Sequence, residues 1–104
     1  MVQEFRKVAQ VDEVLPGDMR LVEFNDERVL LVNLDGNFYA VSEMCPHAGG
    51  LLSEGDLEGE SVGCPLHGSL FSVKTGMVET PPADEDLTVY QVKIEGGDIL
   101  IAPV

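Results

Sequence analysis

Short runs rich in apolar and β-branched residues, some of them alternating with polar residues, recur along most of the chain, a pattern typical of β-strands. The runs that predict strands are residues 5–9, 19–24, 28–34, 38–41, 87–94 and 99–101. No segment shows a convincing repeat of apolar positions with the helical period of about 3.6 residues. The pattern therefore predicts an all-β protein.

Turn signals separate these runs. Asp35-Gly36 lies between two predicted strands, and this dipeptide readily adopts the positive φ angles of a tight hairpin turn. Residues 12–17 end in Pro-Gly and predict a turn or a single helical turn. The strand-rich ends and the Gly/Pro-rich middle predict an antiparallel β sandwich or barrel base, residues 1–42 and 72–104, with an inserted lobe at about 43–71.

Composition restricts the function classes. A chain of 104 residues is one small domain. Nineteen acidic against six basic residues give a net charge of −13, which argues against binding to nucleic acids or to anionic membranes. The sequence shows no apolar run of about 18–20 residues and no signal-peptide pattern at its start, so we expect a cytoplasmic protein with no membrane partner.

The chain has only two cysteines and two histidines, and they form two short motifs. Cys45 precedes His47 by two positions, and Cys64 precedes His67 by three. A proline follows each cysteine and stiffens its loop. Each loop can therefore offer one sulfur and one imidazole nitrogen to a shared site.

Four interpretations of these motifs compete. A disulfide between Cys45 and Cys64 is disfavoured in the cytoplasm and leaves the histidines unexplained. Buried free cysteines are common, but matched Cys/His pairs argue against coincidence. Zinc favours two cysteines and two histidines, usually with like ligands paired in each motif. In a Rieske-type [2Fe–2S] cluster two cysteines bind one iron and two histidines the other, which suits two loops that each contribute one ligand per iron.

The motifs and their surroundings resemble Rieske-type ferredoxins along essentially the whole chain. The resemblance rests on Cys45-Pro46-His47, Cys64-Pro65-Leu66-His67-Gly68-Ser69-Leu70-Phe71, Asn37-Phe38-Tyr39-Ala40, Leu57-Glu58-Gly59, Lys74-Thr75-Gly76 and Pro81-Pro82. It implies a Rieske-like fold and one [2Fe–2S] cluster, with Cys45 and Cys64 on the inner iron. His47 and His67 would bind the outer iron through Nδ1, near solvent, and Pro81-Pro82 would lie on a third loop that shields the cluster.

Departures from the family pattern indicate which type of Rieske protein the chain resembles. Rieske proteins of membrane cytochrome complexes carry a membrane anchor and two further cysteines, whereas here residue 66 is leucine and the chain has no third cysteine. Ser69 matches a serine that hydrogen-bonds a bridging sulfide in the high-potential members. Phe71 replaces the tyrosine of those members, so one of two groups that raise the potential is missing.

The charge distribution suggests a low reduction potential. Between Arg28 and Lys74 the sequence has no lysine or arginine and six acids, namely Asp35, Glu43, Glu54, Asp56, Glu58 and Glu60. Reduction adds a negative charge to the cluster, and nearby acids oppose it. We expect a potential in the lower part of the family range of about −150 to +300 mV. The alternative is that these acids are solvated and screened over a Debye length of about 10 Å.

The same residues limit what the cluster does. With both histidines used as ligands, the chain cannot build the second iron site of a terminal oxygenase, which needs two histidines and a carboxylate. It also lacks a dinucleotide-binding Gly-x-Gly-x-x-Gly motif after a strand. One-electron transfer remains, and the chain is expected not to be an enzyme.

The resemblance implies a setting for this transfer. A flavin-dependent ferredoxin reductase would supply electrons, and the terminal Rieske oxygenase of an aromatic-ring dioxygenase system would accept them. We expect a monomer that meets both partners transiently, through their basic surfaces, with Pro46, Leu66 and residues 49–51 as an apolar collar around the histidines.

Two other functions stay open. The small subunit of nitrite reductase resembles this fold, although its assimilatory forms commonly lack the ligands that are present here. A zinc-bound Cys₂His₂ interaction module is the other alternative.

Overall fold

The computed structural model describes residues 5–44, 51–65, 68–80 and 85–103. In these ranges it has ten strands and two single 3₁₀ turns, Val11–Glu13 and Leu52–Glu54. The strands are β1 (Arg6–Gln10), β2 (Met19–Phe24), β3 (Glu27–Leu34), β4 (Asn37–Ser42), β5 (Leu57–Glu58), β6 (Ser61–Gly63), β7 (Leu70–Ser72), β8 (Val78–Thr80), β9 (Val89–Glu95) and β10 (Asp98–Pro103).

The strands form two antiparallel sheets. The large sheet has the order β1-β10-β9-β4-β3-β2, and the small sheet has the order β5-β6-β7-β8. The edge strands β1 and β2 contact each other, so the large sheet curls into a nearly closed barrel. This confirms the predicted all-β antiparallel architecture. The small sheet lies between β4 and β9 in the chain and includes β8, residues 78–80.

Strand β3 joins two hydrophobic cores because its successive side chains point to opposite faces. Val29 and Leu31 pack inside the curled large sheet. Leu30 and Val32 pack on the other face, against the small sheet. All four are fully buried, which explains why this strand has a continuous apolar run instead of an alternating one.

Two tight hairpin turns shape the large sheet. Asn25 and Asp26 have φ angles of 51° and 66°, and Asp35 and Gly36 have φ angles of 54° and 94°. Positive φ at both central residues matches the right-handed twist of the flanking strands. The hairpin predicted at Asp35-Gly36 is therefore confirmed.

The strand predicted for residues 87–94 begins later, at Val89. Leu87 donates its backbone N–H to the carbonyl of Gly76 (2.7 Å), and the Thr88 carbonyl accepts from the Ser42 N–H (2.8 Å). These two residues connect the turn between β7 and β8 to the end of β4. No helix in the described ranges is both long and apolar enough to cross a membrane.

Candidate metal centre

The structure describes one of the four predicted ligands, Cys64. Cys45, His47 and His67 lie outside the described residues, as do Pro46, Leu66 and residues 49–50 of the predicted collar, and Pro81-Pro82 of the predicted third loop. The described part of the site consists of Cys64 and the backbone at the ends of the two ligand segments.

Cys64 lies directly after β6, is 3% exposed and forms no disulfide. Its backbone N–H donates to the carbonyl of Ser69 (2.8 Å), and its carbonyl accepts from the N–H of Gly68 (3.0 Å). The φ angle of +76° at Gly68 lies in the left-handed region that favours glycine. A tight turn thus holds the thiol in place, as a metal-bound thiolate requires.

The residues on either side of the first ligand motif lie next to each other. Met44 and Leu51 form an isolated antiparallel bridge on either side of residues 45–50. Just outside it, the Leu52 N–H donates to the Glu43 carbonyl (2.9 Å), and the Glu43 N–H donates to the Arg28 carbonyl (3.3 Å). The described residues on either side of Cys45 and His47 are therefore anchored to β3.

The two loops leave neighbouring parts of the fold. Leu52 and Cys64 belong to the same buried cluster, and the Gly63 N–H donates to the Asp56 carbonyl (2.9 Å). A Cβ atom on Gly55 would clash with the Gly63 carbonyl oxygen, so glycine is required at this position. The segment returning from the first loop thus packs on the strand that presents Cys64. This arrangement fits a metal cluster that takes sulfur and nitrogen ligands from both loops.

Ser69 and Phe71 follow the turn and are both fully buried. The Phe71 ring belongs to the core between the two sheets. Phenylalanine at this position thus fills the core and offers no hydroxyl group. The expected hydrogen bond from Ser69 to a cluster sulfide remains a prediction.

Acidic side chains surround the position of Cys64. Glu54, Asp56 and Glu58 are exposed, and they line an open cleft of about 370 Å³ together with Cys64 and Pro65. Among the described residues no base lies within ion-pair distance of these three carboxylates. We call these three residues the acidic cleft. Its charges face solvent beside the cysteine turn.

The bases at the two ends of the acidic stretch fold back onto it. Arg28 Nη1 lies 3.8 Å from Glu43 Oε1, and Lys74 Nζ lies 2.9 Å from Glu60 Oε2. The hydrogen bond from Lys74 to Glu60 raises the lysine pKa. Counting charges along the chain gave six uncompensated acids, whereas the structure leaves four without such a partner among the described residues. The surroundings of the proposed site are therefore acidic, as expected, but carry fewer unpaired negative charges than the sequence suggested.

Glu43 is the functional candidate that sequence reasoning did not single out. Its side chain is 1% exposed, and neither carboxylate oxygen has a hydrogen-bond partner among the residues that the structure describes. A signal was present, because Glu43 follows β4 directly, and the alternation of that strand, continued by one residue, places it on the same side as the buried Val41. Reading Glu43 only as one more surface acid missed this alternation.

Comparisons with known proteins agree with the site. The sequence matches the Rieske [2Fe-2S] domain profile over residues 4–91. It is 44% identical over 98 residues to the biphenyl dioxygenase ferredoxin subunit of Pseudomonas sp. strain KKS102, covering 93% of this chain and 90% of that protein.

Solved structures share the fold. The ferredoxin of carbazole 1,9a-dioxygenase from Nocardioides aromaticivorans IC177 is 31% identical, with a TM-score of 0.91 over 96% of this chain and 98% of that chain. A chain in the complex of reduced oxygenase and oxidized ferredoxin in carbazole 1,9a-dioxygenase is 32% identical, with a TM-score of 0.89 over 94% and 92%.

A protein assigned as the NADH-dependent nitrite reductase small subunit of Mycobacterium tuberculosis is also similar. It is 27% identical, with a TM-score of 0.84 over all of this chain and 98% of that chain. The fold alone therefore does not separate ferredoxins from such subunits, whereas the profile match covers both predicted ligand motifs. The chain belongs to the Rieske [2Fe–2S] domain family, whose cofactor is a [2Fe–2S] cluster.

Proposed function

We propose that this chain is a one-electron carrier, the ferredoxin component of an aromatic-ring dioxygenase system. It receives electrons from a flavin-dependent reductase, delivers them to a terminal oxygenase, and catalyses no reaction of its own. The observation that carries the proposal is the 44% identity to a dioxygenase ferredoxin subunit across 93% of the chain. The proposed compartment is the cytoplasm, where reducing conditions keep thiols such as Cys64 unpaired.

The proposed ligands are Cys45 and Cys64 on one iron, and His47 and His67 on the other. The buried thiol of Cys64 and the adjacent ends of both loops support this assignment. When bound, the cluster supplies a centre that takes up and releases one electron. Backbone hydrogen bonds to Gly68 and Ser69 hold Cys64 in place, and those of Glu43 tie the start of the other ligand segment to β3. Residues 43–71 act in this proposal as the cluster-binding lobe on a base formed by the rest.

Single substitutions of the ligands test the assignment. The purified protein is expected to contain about two irons and two acid-labile sulfides per chain, and to give a rhombic EPR signal after dithionite reduction. Cys64→Ser and His67→Ala should each abolish that signal. Met44→Ser is the matched control, because Met44 adjoins the first motif and is 57% exposed. A ligand variant that keeps the signal would refute the assignment, and zinc without iron or sulfide would support the interaction module.

The partners are proposed to dock on the acidic cleft through basic surfaces. Its three carboxylates are exposed and line the same cleft as Cys64, so a partner bound there lies close to the centre. Opposite charges on partner surfaces speed encounter, and salt weakens this effect. The carbazole dioxygenase complex of ferredoxin and oxygenase shows that a protein of this fold binds an oxygenase.

A charge-matched pair of variants tests this docking site. Glu54→Gln/Asp56→Asn/Glu58→Gln and Asp12→Asn/Asp18→Asn/Asp26→Asn each remove three exposed negative charges, the second set from the base. The first should slow reduction by a dioxygenase-type reductase about tenfold at low ionic strength and flatten its salt dependence. The second should change the rate less than twofold. Equal effects of the two variants would show that net charge matters and the cleft does not.

A reduction potential in the lower part of the family range also belongs to the proposal. The four unpaired acids of the stretch between Arg28 and Lys74 support it. A redox titration that gave a value above roughly +200 mV would contradict it.

A role as the small subunit of a nitrite reductase is the second candidate, because a protein assigned to that class shares the fold. A subunit would remain bound to its large partner during purification. A free ferredoxin would purify alone and reduce an oxygenase in solution. Expression of the chain together with its neighbouring genes, followed by size-exclusion chromatography, separates the two.

A further inference from the structure

The curled large sheet has an open cavity at one of its ends. Strands β3 and β9 begin at this end, and β2, β4 and β10 finish there. The cavity has a volume of about 270 Å³. Its lining includes Phe24, Asn25, Glu27, Thr88, Tyr90 and Pro103. We call this cavity the barrel mouth.

The barrel mouth combines aromatic rings with a carboxylate. The rings of Phe24 and Tyr90 meet edge to face, with their centroids 5.8 Å apart. The Tyr90 hydroxyl donates to Glu27 Oε2 (2.8 Å), which places this exposed carboxylate beside the rings. In the part of the chain that the structure describes, no lysine or arginine lies within ion-pair distance of Glu27. Its negative charge is therefore available to a cation from outside.

This chemistry suits the side chain of an arginine. A guanidinium group is planar, so it can stack on an aromatic ring and donate to a carboxylate at the same time. It is also more weakly hydrated than the ammonium group of lysine. The volume lies below the roughly 300–1,000 Å³ of sites for drug-sized ligands, so the barrel mouth fits one side chain better than a free small molecule.

The barrel mouth adjoins the start of the first ligand segment. The carbonyl of Thr88 in its wall accepts from the Ser42 N–H (2.8 Å). The next residue, Glu43, donates its N–H to the carbonyl of Arg28 (3.3 Å), which follows Glu27 directly. Two sides of the cavity are thus joined by backbone hydrogen bonds to the segment that leads to the first motif. A protein bound at this end of the sheet covers both features.

We propose that the barrel mouth receives an arginine side chain of the terminal oxygenase. The net charge of −13 favours a basic partner, and a chain of this fold occurs in the complex of carbazole dioxygenase oxygenase and ferredoxin. This inference rests on the proposed function and adds a contact of defined shape to it. The acidic cleft attracts a partner by exposed charge alone, whereas the barrel mouth also fixes the orientation of the partner.

The first test measures whether the barrel mouth prefers a guanidinium group. Acetyl-arginine-amide is the probe, and acetyl-citrulline-amide is its uncharged control. In NMR titrations of the ¹⁵N-labelled oxidised protein, the probe should shift the Asn25 side-chain amide and the Thr88 N–H with saturation, and the control should not. Glu27→Gln should weaken binding of the probe about fivefold. Glu23→Gln, which removes an exposed charge outside the cavity, should change it by less than about twofold.

The second test identifies the partner. Reduced protein is mixed with a dioxygenase-type terminal oxygenase in a stopped-flow instrument at low ionic strength. Glu27→Gln should lower the second-order rate constant about fivefold, and Glu23→Gln by less than about twofold. Tyr90→Leu, which removes the ring, should lower it in the same direction as Glu27→Gln. Reduction of the three variants by a dioxygenase-type reductase should stay within about twofold of the parent protein.

The opposite results are equally clear. Equal rates for Glu27→Gln and Glu23→Gln would overturn the proposal, as would saturable shifts with the citrulline compound. A loss confined to the reductase reaction would overturn the assignment to the oxygenase. If the parent protein reduces no oxygenase, the proposed function and this inference fail together. If the parent protein does so and Glu27→Gln is equally fast, only this inference fails.

Discussion

The two sheets of this protein are built differently. Strands of the large sheet have five to eight residues and enclose a core of their own. Strands of the small sheet have two or three residues. They rely on Leu30 and Val32 of β3 beneath them and on individual contacts such as Ser61 Oγ with Glu79. The large sheet is thus a scaffold, and the small sheet carries Cys64 of the proposed site.

This difference indicates which sheet loses its structure first when the protein is destabilised. Strands this short are not stable on their own, so the small sheet depends on the scaffold and on the loops that it holds. A change in the large sheet should lower the stability of the whole molecule. A change in the small sheet should be felt first at the cysteine turn.

The largest effect is expected for Leu31→Ala in the large sheet. Leu31 is fully buried inside the curled sheet, and its truncation leaves a cavity. The free energy of unfolding should fall by about 3 kcal/mol, while folded protein keeps its full cluster content. Urea unfolding monitored by circular dichroism measures the free energy of unfolding, and iron analysis measures the cluster content. A loss below about 1 kcal/mol would mean that the core adapts and the scaffold is less rigid than described.

The next effect is expected for Gly55→Ala beside the small sheet. The added methyl group would meet the Gly63 carbonyl, so the backbone must shift, at a cost of about 2 kcal/mol. Iron content should fall, because the shift displaces the strand that precedes Cys64. Gly63→Ala is the matched control, since a Cβ there has only ordinary contacts at 3.5 Å and 3.6 Å. If both variants retain cluster and stability equally, the close approach at Gly55 is not a constraint.

The smallest effect concerns Tyr90 of the large sheet. Burial, followed by the hydrogen bond that its hydroxyl donates to Glu27 (2.8 Å), raises the pKa of Tyr90 to about 12. The folded state therefore favours the neutral phenol. This contribution is fully present below about pH 10 and is lost as the pH rises towards 12, by less than about 1 kcal/mol because the group is only partly buried and solvent screens it.

Urea unfolding at pH 9 and pH 11 measures it. The parent protein should lose more stability between these values than Tyr90→Phe, which keeps the ring beside Phe24 but has no hydroxyl. Titrations of other groups cancel in this difference. An equal loss in both proteins would mean that Tyr90 ionises as freely folded as unfolded.

Local signals account for much of what could be predicted. Short apolar runs, some of them alternating with polar residues, marked the strands of the large sheet, and Asp35-Gly36 marked a hairpin, because both signals depend on neighbours in the chain. Two cysteines and two histidines in matched motifs pointed to the metal chemistry, since one cysteine and one histidine in each of two motifs suit the ligands of the two irons in a Rieske cluster. The family and its cofactor could therefore be recognised before any fold was known.

Contacts between distant residues account for the rest. Strands β5 to β8 are too short to show a period, and residues 87 and 88 leave the predicted strand because Gly76 and Ser42 bind them. Arg28 and Lys74 lie within ion-pair distance of acids that are 15 and 14 positions away in the sequence. The burial of Glu43 likewise depends on packing against other segments. Such features arise only when the chain closes on itself, because burial and charge pairing are properties of neighbours in space.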